Sequence, residues 1–273
     1  MRHMLSLGAG VQSSTLALMA AKGEVGPMPE VAVFADTGWE PRAVYEWLDW
    51  LEQQLPYPVV RVDNGNIREQ NIGARVRGRS VDGKHWASLP YFTMEEGATR
   101  EGRISRQCTF DYKIQPIEKY MRRELLGLKF RQRAPTEFVL TQWRGISTDE
   151  RVRARPPREK WFDVRYPLIE QGMTRGHCLE WMQRNGYPTP PRSACLGCPF
   201  HSDAEWERIK TETPDEWRDV VEFDDAIRDA GGIRGKTYLH RSCVPLRDVE
   251  LVTHTSAGQT DLFVNDCEGM CGV

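Results

Sequence analysis

The chain has 273 residues, of which 40% are hydrophobic and 28% charged, with a formal charge of −2, an ordinary soluble composition large enough for a full α/β core. It contains no apolar run of about 18 residues, which excludes a transmembrane helix. Its first residues, Met1 to Leu5, enter an apolar strand directly, so we expect no cleaved signal, no membrane partner and a cytoplasmic location.

The first predicted unit is strand, turn, helix. Met4-Leu5-Ser6-Leu7 reads as a buried strand, residues 8–14 as a turn of small residues, and Thr15 to Lys22 as a helix closed by Gly23. Gly8 and Gly10 are expected to take positive φ, and Ser13 or Ser14 to cap the helix. The first helical N–H groups would then form an anion site suited to phosphate. The turn lacks the Gly-Lys-Ser/Thr of a Walker loop and the spacing of a dinucleotide fingerprint.

Residues 30–35 read as a second strand, ending in Asp36-Thr37-Gly38, with a helix from Pro41 whose Val44, Trp47, Leu48, Leu51 and Leu55 face the sheet. Residues 58–62 make a third strand. This alternation predicts a doubly wound parallel α/β sheet with right-handed crossovers, its ligand beyond the carboxyl ends of the strands. Asp36 is placed there for a ribose hydroxyl, a metal-bound water or simply a helix cap.

Residues 63–107 read as a long loop or small excursion, a candidate lid. A helix follows Cys108, burying Ile114, Ile117, Met121 and Leu125, and residues 137–141 make a fourth strand. An extended piece over 164–169, a helix over 174–185, helices near 203–210 and 214–230, and a loop-rich tail complete the chain. We expect a nucleotide-binding domain over 1–200 and a helical extension with a mobile tail over 201–273. Charge is uneven along this path: residues 98–165 hold 17 Lys/Arg against 9 Asp/Glu, so a basic middle lies in an acidic chain. Such a patch suits a nucleotide, a sulfated nucleotide or nucleic acid.

Seven cysteines in a cytosolic setting point to metal or thiol chemistry before disulfides. Cys195-Leu196-Gly197-Cys198 is a C-x-x-C on a proline-flanked turn, and Cys108 is the leading third ligand. Cys178, Cys243, His201 or no protein group could be the fourth. An iron–sulfur centre, a structural zinc and a thiol pair all fit that spacing. Cys267 and Cys271, on a chain end expected to be mobile, are candidate catalytic nucleophiles or sulfur carriers. Cys178 and Cys243 read as core.

Several motifs together resemble one family. Leu5 to Ser14 is similar to the phosphate loop of the phosphoadenosine-phosphosulfate (PAPS) reductase family, of the PP-loop superfamily of adenine-nucleotide-hydrolase-like proteins. Phe34-Ala35-Asp36-Thr37-Gly38 resembles its Asp-Thr-Gly signature, and Cys108-Thr109 with Lys113, Ile114, Pro116 and Ile117 its first cysteine motif. Gly145-Ile146 with Asp149-Glu150-Arg151, and Tyr166-Pro167-Leu168-Ile169 ahead of Cys178-Leu179-Glu180-Trp181, resemble later segments.

The resemblance implies an adenine nucleotide (PAPS, its unphosphorylated analogue APS, or ATP) bound by Ser6, Gly8, Ala9, Gly10, Gln12, Ser13, Ser14, Asp36, Thr37, Gly38 and Gly145. Arg144, Arg151 and Arg153 are candidates to neutralise its oxyanions. It implies a [4Fe–4S] cluster, or alternatively zinc, on Cys108, Cys195 and Cys198. A thioredoxin-like dithiol donor and a homo-oligomer are further expectations. Gln12 stands where enzymes that split ATP carry aspartate, and an amide cannot replace that carboxylate on Mg²⁺. Reductive or sulfur-transfer chemistry is therefore the first expectation. An ATP-dependent thiolase acting on DNA or RNA is the second, and a non-catalytic nucleotide- or nucleic-acid-binding module with zinc the third.

Overall fold

Strand β1 (Arg2–Leu7) sits at the centre of a five-stranded parallel sheet, and its alternation separates two cores. The computed structural model describes residues 2–72, 88–157, 159–232 and 235–252. Leu5 and Leu7 face helices α1 (Val11–Ala21) and α2 (Arg42–Gln54), together with Ala32 and Phe34 of β2 (Val31–Asp36). Met4 faces the opposite way, with Val31, Val33 and Ala35. Strand β3 (Val59–Asp63) pairs with β2 at one edge of the sheet. Val44, Trp47, Leu48 and Leu51 of α2 are all buried, as their spacing predicts, each stabilising by about 1.5–3 kcal/mol.

After β3 the chain leaves the sheet. Residues 63–107 form the small excursion that was one of the two expectations for them: among the described residues they hold α3 (Ile67–Asn71) and the short strands β4 (Phe92–Met94) and β5 (Gly102–Arg103). A helical stretch then runs from Phe110 to Leu125, with π-type turns on either side of α4 (Gln115–Tyr120). It buries Ile117 and Met121 on the second face of the sheet, so helices cover both faces. Strand β6 (Leu140–Arg144) returns beside β1, and β7 (Phe162–Arg165) pairs with β6, giving the order β3-β2-β1-β6-β7. The fold is thus the expected doubly wound α/β sheet. Strand β6 lies three residues later than predicted, because its register is set by pairing of Arg2 with Leu140 and Ser6 with Arg144.

Helices α5 (Pro167–Glu170) and α6 (Arg175–Arg184) close the first face. Helices α7 (Asp203–Glu212) and α8 (Pro214–Ala226) are followed by strand β8 (Lys236–Tyr238), which joins β4 and β5 in a small antiparallel sheet. Part of the segment read as a loop-rich tail is therefore folded. Leu239 and Leu246 are buried with Trp206 and Phe223, and the same core takes in Trp39, Tyr91, Tyr112 and Leu196 from earlier in the chain. No described helix is long and apolar enough to cross a membrane.

Candidate functional site

From β1 the chain crosses to β2 and β3 on one side, then returns to β6 and β7 on the other. The carboxyl ends of β1 and β6 consequently flank a topological switch point, where sheets of this kind leave a crevice. The turn out of β1 makes its floor. The left-handed residue there is Ala9, at φ +57°, whereas Gly10 is the N-cap of α1 at φ −92° and ψ 179°. This corrects the expectation of positive φ at both glycines. A Cβ on Gly8 would lie 3.5 Å from Ser13 Oγ, and one on Gly10 3.7 Å from Ser193 Cβ, ordinary contacts that do not by themselves demand glycine.

Because α1 starts at Val11, its serines lie within the first turn and do not cap it. Ser13 Oγ donates to Gly10 O at 3.3 Å and accepts from the Gly8 N–H at 3.1 Å, bracing the turn. Ser14 is buried and accepts from Trp47 Nε1 at 2.9 Å. No side chain caps α1, and its first turn holds no acidic residue. The positive end of an 11-residue helix therefore lies beyond the carboxyl end of β1 with no side chain capping its first N–H groups.

The wall opposite comes from the chain after β6. A Cβ on Gly145 would lie 2.7 Å from Ser13 Cα and 2.8 Å from Ser13 N, so here packing itself requires glycine. The 3₁₀ turn Thr148–Arg153 follows. Gln12 Nε2 donates to Glu150 Oε2 at 3.2 Å, and Glu150 pairs with Arg153. Arg144 folds back to donate to Gln142 Oε1 at 2.9 Å, while Gln142 Nε2 donates to Ser6 Oγ at 2.6 Å. Ser6 thus lies inside the sheet, Arg144 and Arg153 are engaged by neighbours, and Arg151 is exposed on the turn.

The loop after β2 forms the next side. Asp36 Oδ1 accepts from the Gly38 N–H at 2.7 Å and from Tyr45 Oη at 2.8 Å, so it fixes its own turn rather than capping α2, whose N-cap is Pro41. Burial and the Asp36 carboxylate raise the Tyr45 pKa, keeping the phenol protonated. Gly38 has φ +71°, and Asn66 Nδ2 donates to its carbonyl at 2.8 Å. Thr37 Oγ1 donates to Glu40 Oε1 at 3.0 Å, and Lys113 Nζ lies 3.8 Å from the same oxygen.

Against this loop sits the C-x-x-C turn. The Leu196 N–H donates to Trp39 O at 3.0 Å, and the Cys195 thiol is 3.4 Å from Thr37 Oγ1 and 3.5 Å from Glu40 Oε1. Two residues earlier, the Ser193 hydroxyl donates to Gly8 O, tying the cysteine segment to the turn after β1. His201 Nε2 donates to Cys195 O at 3.0 Å and lies 3.2 Å from Leu196 O. Burial lowers its pKa to about 4, so the imidazole is neutral near pH 7 and braces the turn through Nε2.

Cys195 and Cys198 share one turn, while Cys108 lies at the border of the second core. Among the described residues no group of three or more His, Cys, Asp or Glu side chains could hold a metal ion. A cluster or zinc on Cys108, Cys195 and Cys198 remains what the resemblance implies, and the chemistry proposed for the chain does not depend on it. Cys178 is core as expected, its thiol pushed up to about 12 by burial. Cys243 is also buried and its thiol pKa raised by burial. Cys267 and Cys271 lie outside the described residues.

Glu40, Trp39 and Ser193 were not singled out as site residues from the sequence. Glu40 precedes the proline of a helix start, where a carboxylate reads as ordinary first-turn chemistry. Its partners Cys195 and Lys113 are distant in the chain. Cys195 and Ser193 reach it and Gly8 only through the fold.

No protein-family model matches the chain, and no curated protein does. Among solved structures it is similar to a crystal structure of phosphoadenylyl-sulfate (PAPS) reductase from Candida auris in a phosphate complex. The TM-score is 0.42 and the identity 12%, over 70% of this chain and 75% of that one.

Proposed function

We propose that the switch-point crevice binds an adenine nucleotide through its phosphate or sulfate group, and that the chain uses it in thiol-dependent sulfur chemistry. The uncapped amino end of α1 carries this reading. It faces the crevice with no acidic residue in its first turn, a setting in which an anion is stabilised by N–H groups and helix dipole together. Arg151 is free to turn toward an oxyanion, whereas Arg153 would exchange Glu150 for it.

In the reductive version the thiolate of Cys271 or Cys267 attacks the sulfonate sulfur of a sulfonucleotide. An S–S bond forms, the S–O bond to the nucleotide phosphate breaks, and the nucleotide leaves with that electron pair. A dithiol carrier then reduces the S-sulfocysteine, releasing sulfite and regenerating the thiol while the carrier becomes a disulfide. A second reading, ATP-dependent thiolation of nucleic acid, draws support from Glu150. Its carboxylate stands 3.2 Å from Gln12 and would supply the anionic oxygen that the amide lacks as a Mg²⁺ ligand.

Product analysis separates the two. Sulfite released from a sulfonucleotide and dithiol, and lost in Cys271→Ser or Cys267→Ser, supports the first reading. AMP and pyrophosphate from ATP, lost in Glu150→Gln, support the second. Neither product from either nucleotide contradicts both. Gly145→Ala is expected to displace Ser13 and weaken nucleotide binding by about tenfold or more, given the ~1–3 kcal/mol typical of an overpacked contact. Calorimetric titration of the variant measures it.

A further inference from the structure

The segment before β6 and the residues before β7 lie at the amino ends of the strands, opposite the crevice. Residues 119–133 carry six Lys/Arg and one Asp/Glu. A hollow of about 730 Å³ opens there, lined by Arg122, Arg131, Arg133 and Lys160 above the buried Trp161, with Glu159 the acidic residue among its lining. Beside it Phe130 is 76% exposed, far more than an aromatic side chain held by its own core. The guanidinium carbons of Arg131 and Arg123 stand 5.2 Å and 5.5 Å from its ring centroid.

The presentation is built by the backbone. Gly127 and Arg131 both take left-handed φ, +63° and +61°, and for arginine this costs on the order of 1–2 kcal/mol. The Leu128 N–H donates to Arg122 O at 2.9 Å, and the Lys129 N–H to Gln132 Oε1 at 2.9 Å. Arg123 Nη1 donates to Leu128 O at 2.8 Å, and Arg122 Nη2 to Gln132 O at 2.7 Å. The arginines thus hold the loop while keeping their charge at its surface, and Phe130 is fixed outward at the tip.

We propose that this face binds single-stranded nucleic acid. Arg122, Arg131, Arg133 and Lys160 would follow the phosphodiester backbone, and a base would stack on Phe130 and its flanking guanidinium groups. A single aromatic ring between two cations, beside a concave basic hollow, suits a strand threaded through a groove better than a flat anionic membrane, which needs an apolar face to insert.

The test is fluorescence anisotropy of labelled oligothymidylate with the full chain, across a salt series. Wild type is expected to bind with a log–log salt slope of roughly −3 for four phosphate contacts on a single strand. Arg131→Glu with Arg133→Glu should weaken binding by about tenfold or more and flatten that slope by roughly 1.4, as two of the four contacts are lost. Phe130→Ala should weaken binding by about tenfold while leaving the slope unchanged. All three positions are exposed, and unchanged melting curves would exclude unfolding as the cause. Wild-type affinity in both variants, binding to phosphatidylserine vesicles but not to the oligonucleotide, or duplex bound as tightly as single strand with no effect of Phe130→Ala, would overturn the proposal.

Discussion

Gly197→Ala is expected to dislodge the C-x-x-C turn and destabilise the protein by about 3 kcal/mol, the upper end of what an overpacked contact costs. The added methyl would overlap Cζ3 and Cη2 of Trp39. That ring cannot move aside. It is buried, its Nε1 donates to Asp219 Oδ2 at 2.6 Å, its face packs on Phe223 at 4.6 Å between centroids, and its own carbonyl holds the Leu196 N–H. The turn must therefore lift, separating Cys195 from Thr37 and Glu40. Denaturant unfolding gives the loss of stability. The rate of thiol alkylation in the native protein should rise together with it, because Cys195 and Cys198 are both buried in the wild type. Wild-type stability with unchanged alkylation would show that the turn is not seated on Trp39.

Asp224→Ala should cost about 3–5 kcal/mol, the range for removing one partner of a buried ion pair. The side chain is 1% exposed. It accepts from the Leu239 N–H at 2.8 Å and the Leu246 N–H at 2.9 Å, and pairs with Arg228. Removing it leaves two buried N–H groups without their acceptor and Arg228 with only the Thr237 carbonyl, at 2.6 Å. The segment from β8 to residue 252 should then detach from the second core, becoming open to limited proteolysis while the parallel sheet remains folded. Asp224→Asn keeps one acceptor oxygen and should lose less.

The parallel sheet was legible because each of its central strands is an apolar run followed at once by a helix start. Val31 to Ala35 needs burial on both faces, which only such a sheet provides. Strand β6 was displaced because Phe138 and Val139 extend the apolar run toward its amino end. Phe138 is nevertheless 40% exposed, and pairing with β1 decides the boundary. The serines of the first turn suggested a cap, but Ser14 is claimed by Trp47 and Ser13 by the turn itself. In the site, the motif residues of the turn after β1 and of the Gly145 segment did come together. The contacts that position them did not show in the sequence, since Gly8 meets Ser193 and Glu40 meets Cys195 across more than 150 residues of chain.

Anion binding at the amino end of α1 is most directly tested by calorimetric titration of the purified chain with a sulfonucleotide, ATP and adenosine. Saturable binding of a phosphorylated nucleotide, much weaker binding of adenosine, and a further loss in Gly145→Ala are the predicted results. Equal affinity for adenosine and its phosphorylated forms, or no binding of any of them, would contradict a phosphate site in this crevice.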